Sequence, residues 1–302
     1  VANYDPSRIG VNIGPTFAFG DGLTHHEHTR LVNALGPELS VRMVSAETLA
    51  VAWLELRTRS ELAVYPELIA TGHRLIQRAF SRATITPSET TTDEVVWWLR
   101  QTMHDHGLHA WFQPSVAIQA PGQSFEATAP RTRIEPGDLL WVDVGFELLG
   151  LCTDQQQHAY VLRPGETAAP AGLQAALAAG NRLQDIVLAA MQPGRSGNAV
   201  LATARAQALS EGLNPCIYSH PLGYHGHAAG PTIGLWDQQE GVSGGGDYPL
   251  YDQTAYSIEL NVIVPVAEWN DQPVRIALEE DAVLIDGVMR WLDGRQETFI
   301  LI

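Results

Sequence analysis

Apolar positions along the chain switch between helical and alternating periods, and the switches lay out the elements. From Arg8, RIGVNIGPTFAF alternates and stops at GDGLT, which predicts a strand leading into a helix over roughly Thr24 to Leu35. SVRMVSAETLAVAWLELRT repeats that order, with Ser45 and Glu47 suited to a helical N-terminal turn. Leu62, Leu68, Ile69, Leu75 and Ile76 then recur at helical spacing, predicting a helix from Ser60 to about Ala83. After Pro87, the polar SETTTDE leads into a second helix, VVWWLRQTMHDHGL, whose Trp97 and Trp98 are expected to pack into the core.

Pro114 to Ala120 and Leu139 to Leu162 read as strands joined by a loop containing Pro and Gly. Two Ala-rich helices follow, roughly Ala168 to Met191 and Ser196 to Gly212, separated by QPGRSG. The remainder reads as strands: Cys216 to His220, Ala255 to Pro265, Val274 to Ile276, Asp281 to Ile285 and Thr298 to Ile302. Two helices, strands, two helices, strands is an α+β order with an approximate internal duplication. The first 55 residues hold too little core to stand alone, so the expected division is 1–55 as the tail of an N-terminal domain and 56–302 as the main domain.

Composition narrows the partners. The net charge is -16, and all 18 basic residues are Arg. That balance argues against nucleic acid or an anionic membrane surface, because phosphate binding needs clustered positive charge. Cys152 and Cys216 are too few for a disulfide scaffold, and no apolar run is long enough to span a membrane. A cytoplasmic protein is expected. The chain opens on Val rather than Met, which leaves an upstream export segment open.

The candidate chemistry lies in acids placed where acids are costly. LLWVDVGFELLGLCTDQQQHAYVL, residues 139–162, reads as a buried hairpin, yet it carries Asp143 and Asp154, eleven residues apart. Burying a lone carboxylate costs several kcal/mol unless it is paired, hydrogen-bonded or bound to metal. Downstream, TAYSIELNVIV places Glu259 within a strand, and VRIALEEDAVLI places Glu280 at the start of another. Between them YSHPLGYHGHAAGP carries His220, His225 and His227 in a glycine-rich loop. Each residue alone has an ordinary explanation as an edge charge or a satisfied histidine. Together, hard carboxylate oxygens and one imidazole suit two divalent ions such as Mn, Co or Zn, which activate water for amide hydrolysis.

The hairpin segment GDLLWVDVGFELLGLCTDQQQHAYVL resembles that of the pita-bread metallopeptidases, which include methionine aminopeptidase, Xaa-Pro aminopeptidase, prolidase and creatinase. SIELNVIV and VRIALEEDAVLI are similar to two further strands of that family. The resemblance runs from about Glu55 to the C-terminus and implies a pita-bread fold with pseudo-twofold duplicated halves. It also likens LELRTRSELAVY to the linker of the Xaa-Pro and creatinase branch, and the first 55 residues to the tail of that branch's N-terminal α/β domain. By this resemblance Asp143, Asp154, Glu259 and Glu280 are metal ligands, with Asp154 and Glu280 bridging two ions and Glu259 also assisting proton transfer. GHAAG fits the family's histidine ligand at His227. His225 is the alternative, being nearer the HxxxH spacing with His220.

The chain also departs from the family. GPTIGLWDQQ has no histidine at the usual following position, SVAIQAPGQSFEA lacks the first-half substrate histidine, and Gln155, Gln156 and Gln157 replace a TRT motif. His220 and whichever of His225 and His227 does not bind metal would then orient the substrate. The resemblance implies a dinuclear metallopeptidase cleaving near the N-terminus of a peptide with Pro at its second position, and a homodimer. The alternatives are a hydrolase of a non-peptide C–N bond and a catalytically silent binding protein.

Overall fold

A computed structural model describes residues 4–123 and 131–302; residues 124–130, part of the loop expected after Ala120 and of the stretch searched for a first-half histidine, lie outside the described residues. The N-terminal piece is a small βαβ unit. Strands β1 (Ile9–Val11) and β2 (Met43–Ser45) pair in parallel, joined through α1 (His25–Ser40) and followed by α2 (Glu47–Glu55). Thr24 caps α1 in a capping box with Glu27, and the helix breaks at Gly36, where φ is 72° and Pro37 follows.

The helices that cover the sheet start as their sequences direct. Capping boxes Thr58–Glu61 and Thr91–Glu94 open α3 (Arg59–Ala79) and α4 (Thr92–Asp105), and Ser196 caps α6 (Gly197–Ser210), which follows α5 (Ala171–Ala190).

Three short strands, β3 (His109–Ala110), β6 (Phe146–Leu148) and β7 (Leu151–Cys152), form a satellite sheet. The main sheet is built on β4 (Ser115–Gln119), β5 (Leu139–Val144), β8 (Gln155–Tyr160), β10 (His220–Leu222), β11 (Thr254–Val266) and β12 (Gln272–Ile285). Their order is β10-β11-β12-β8-β5-β4, with β9 (Pro215–Ile217), β13 (Val288–Trp291) and β14 (Ile300–Leu301) attached to β11, β12 and β8.

Two apolar cores sit between helices and this sheet. One gathers Leu173, Leu177, Ile186 and Val200 of α5 and α6 against Ile258, Leu260, Ile276 and Leu278. The other gathers Ile69, Ile76, Val95 and Leu99 of α3 and α4 against Ile118, Leu140, Val142 and Ala159. Each half thus has one helix pair on one set of strands, as the duplicated pattern predicts.

Three expectations change. The strands expected at Val274 to Ile276 and Asp281 to Ile285 are one continuous strand, β12, because its full-length pairing with β11 carries polar residues through the middle. Glu280 is therefore inside a strand rather than at its start. Trp97 is 61% exposed beneath the Arg100 guanidinium instead of lying in the core, and only Trp98 packs inward.

Candidate metal centre

Strand register assembles the site. In β11 and β12 the even-numbered residues Ile258, Leu260, Ile276, Leu278 and Leu284 enter the core under α5 and α6. The odd-numbered residues consequently face the other side of the sheet. Glu259 pairs with Glu279, Glu279 with Gln156, and Gln156 with Asp143. These four side chains form one row across four adjacent strands, on the side away from the helices. Two residues along, Asp281 pairs with Ser257 and Ser257 with His220, forming the next row, and the Asp154 amide donates to Asp281 Oδ2 at 3.1 Å.

Of the expected acids, Asp143, Asp154 and Glu259 meet here, but Glu280 does not. Its carboxylate points to the helix side, where it accepts from Gln157 Nε2 at 2.7 Å and the Gln296 amide at 2.9 Å and contacts His73 Nε2 at 2.7 Å. Side chains alternate along a strand, so neighbours cannot share a face, and Glu279 takes the place expected of Glu280.

The histidines separate as well. His220 brings Nε2 to 3.8 Å from Asp154 and 3.6 Å from Glu279. His227, exposed at the mouth, joins Asp154 and His220 in a group whose candidate ligand atoms lie within 4.8 Å of one another. His220–Glu259–Glu279 and Asp143–Asp154–Glu279 form two further groups of that size. The structure does not bring His225 to the acids; its exposed ring stacks on Phe19 at 4.2 Å.

Electrostatics explain what this arrangement requires. Burial, then the Glu279 charge, pushes the proton affinities of Asp143, Asp154 and Glu259 well above the carboxylate range. Asp143 Oδ1 and His220 Nε2 are buried without a hydrogen-bond partner among the described residues. His220 Nδ1 lies 3.1 Å from the Pro221 carbonyl, which can only accept, so Nδ1 carries a proton and Nε2 is the ring nitrogen that faces the acids. A buried ring nitrogen and crowded carboxylate oxygens, set beyond hydrogen-bond distance of one another, leave a place for a cation between them. The donor set, hard oxygens with one imidazole, fits a divalent metal.

A cavity of about 220 Å³ opens over these acids, walled by Trp111, Phe112, Tyr218 and His227. Trp111 is fixed by its indole N–H, which donates to the Thr153 carbonyl at 2.9 Å, and by Gly226, where any Cβ would collide with the ring. Although part of the residue is exposed, desolvation of the ring against the cavity wall first, and His220 second, lowers the His227 pKa to about 4, leaving its imidazole neutral. Trp111 and Phe112 of this wall were not legible in the sequence, because they lie between predicted elements and carry no periodic signal.

Residues 67–287 match the sequence profile of metallopeptidase family M24. The chain belongs to metallopeptidase family M24. No functionally curated protein matches this M24 chain, whereas solved structures share its fold. An X-Pro aminopeptidase from Thermotoga maritima superposes with a TM-score of 0.70 at 16% identity, covering 100% of this chain and 77% of its own. An Xaa-Pro dipeptidase from Bacillus anthracis gives 0.67 at 17% identity, covering 93% and 73%. A dipeptidase from Mycobacterium ulcerans gives 0.67 at 19%, covering 93% and 70%. The curled sheet and its paired helices in this M24 chain are the pita-bread fold. No helix among the described residues is long and apolar enough to cross a membrane.

Proposed function

We propose that this M24 chain is a dinuclear metal-dependent peptidase of the Xaa-Pro type. The observation that carries the reading is the buried His220 Nε2, without a hydrogen-bond partner among the described residues, set 3.8 Å from Asp154 and 3.6 Å from Glu279. Asp143, Asp154 and Glu279 would hold one ion, and His220, Glu259 and Glu279 a second, so Glu279 is shared by both groups. His220 and His227 thereby exchange the roles that the resemblance implies. When bound, divalent ions supply Lewis acidity to a scissile carbonyl and acidify water.

The residues around the ions do the rest. Glu259 lines the cavity and takes up the proton released as water attacks. Neutral His227, at the mouth, can donate an N–H to the carbonyl oxygen or the departing nitrogen. Trp111, Phe112 and Tyr218 exclude water and pack against the residue flanking the cleaved bond. The Xaa-Pro preference is supported by the sequence resemblance and by the named activities of the fold neighbours.

Metal analysis combined with hydrolysis of Xaa-Pro dipeptides and longer Xaa-Pro-Yaa peptides tests the proposal. Two equivalents of Mn, Co or Zn with turnover are expected. Two equivalents without peptide turnover would point to a non-peptide C–N bond, and a chain that takes up no metal on reconstitution would overturn the metallohydrolase reading.

A further inference from the structure

The row Asp143–Gln156–Glu279–Glu259 contains one member that cannot ionise. Gln156 is 3% exposed, and its side chain is fully engaged. Its Nε2 donates to Glu279 Oε2 at 2.7 Å and to Glu259 Oε1 at 2.9 Å, one N–H to each. Its Oε1 accepts from the Trp141 indole N–H at 3.1 Å. An indole N–H can only donate, so Trp141 decides which way the amide faces and turns the NH2 toward the two carboxylates.

We infer that Gln156 is the positioning residue of the acid centre, holding Glu259 and Glu279 side by side with one oxygen of each engaged. The inference rests on the metal reading above and goes beyond it, because Gln156 is not itself a proposed ligand. Two buried glutamates at directly opposite strand positions repel each other unless something between them donates. Gln156 provides both donors without adding charge. Ser257 Oγ donates to the other Glu279 oxygen, Oε1, at 2.5 Å, so the Glu279 carboxylate is held at both ends. The glutamates are therefore aligned before a cation arrives, and aligning the outer partners of ligating carboxylates sustains metal affinity.

Equilibrium dialysis of the whole chain against Mn2+ alone tests this. Gln156→Met keeps length and volume but removes both donors, and it should weaken Mn2+ binding by about 10- to 100-fold. Trp141→Phe leaves the amide free to turn over, and it should produce a smaller loss of the same kind. It carries the test if Gln156→Met does not fold. A merely structural role would lower the melting temperature while leaving the Mn2+ dissociation constant unchanged, and that result in the folded variants would overturn the inference. A wild-type chain that binds no Mn2+ would overturn the metal reading and this inference together.

Discussion

Glu279 and Glu280 are adjacent in sequence, both buried, and held on opposite faces of one strand. On the helix side, the Glu280 carboxylate meets Gln157, the Gln296 amide and His73, whose other ring nitrogen meets Asp293 at 2.8 Å. On the far side, five acids and His220 share few donors, and Asp143 Oδ1, Asp281 Oδ1 and His220 Nε2 have none among the described residues. A buried acid with a complete set of partners serves the fold. Acids crowded beyond their partners serve something that binds. Burial alone does not distinguish the two, since Glu279 and Glu280 are 1% and 0% exposed.

The sharpest way to break this comparison is to truncate each glutamate in turn. Glu279→Ala should abolish Mn2+ binding and lower hydrolysis by more than the ~100-fold that loss of an outer support costs. Glu280→Ala should retain Mn2+ and instead lose roughly 3 kcal/mol of stability, because His73 and Gln157 are left facing a void. If dialysis and denaturant titration gave the reverse pattern, the two faces would have to be exchanged.

His158 lies in the same sheet with every ring nitrogen satisfied: Nδ1–H donates to the Leu140 carbonyl, and Nε2 accepts from the Ala277 amide. Burial lowers its pKa to about 4. The unfolded chain takes up this proton below pH ~6.5, so the stabilisation is complete above that pH and is lost as pH falls toward 4. That loss amounts to about 3 kcal/mol, and His158→Gln should flatten it in melts recorded between pH 7 and 4. An unchanged slope would show that His158 is not the group responsible.

Metal removal comes next in size. Divalent ion at a hundredfold excess over its dissociation constant should stabilise the chain by about 2.7 kcal/mol, and chelation should remove that gain in a thermal melt. Equal melting with and without metal would place the acid cluster with Glu280 as a structural feature. The smallest contrast is between histidines: His220→Ala should lower bound metal, whereas His225→Ala, at an exposed ring stacked on Phe19, should leave metal content unchanged.

Much of this was legible in the sequence, and the misses share a cause. The helices expected from about Thr24, Ser60 and Ser196 start within a residue or two of those positions, on the caps Thr24, Thr58 and Ser196, since a helix start is a local signal. Asp143, Asp154 and Glu259 were recognisable as acids on apolar strands. Glu280 lies apart from the expected site because the similarity of VRIALEEDAVLI to a family strand carries no information on which face each side chain takes. Val274, Ile276, Leu278, Ala282 and Leu284 are all even-numbered, so parity alone puts Glu280 with the core and Glu279 opposite. His225 and His227 stand as alternative ligands in the sequence and His220 as an orienting residue, because which imidazole meets the acids depends on how the chain folds against Trp111 and Asp154. Trp97 shows the same limit from the other side: an apolar residue on a helix packs inward only if its face does.

The loop that carries the histidines has rate consequences of its own. Its glycines suggest a flap, yet Gly223 abuts the buried Arg57 guanidinium, Gly226 the Trp111 ring and Gly230 the Glu55 carboxylate, with no room for a Cβ at any of the three. Close contact requires glycine at Gly226, and at Gly230 a φ of 136° adds to it. Turnover should therefore proceed without an opening and closing step in this segment, with substrate entering past a fixed rim and the imidazoles already in place before it arrives.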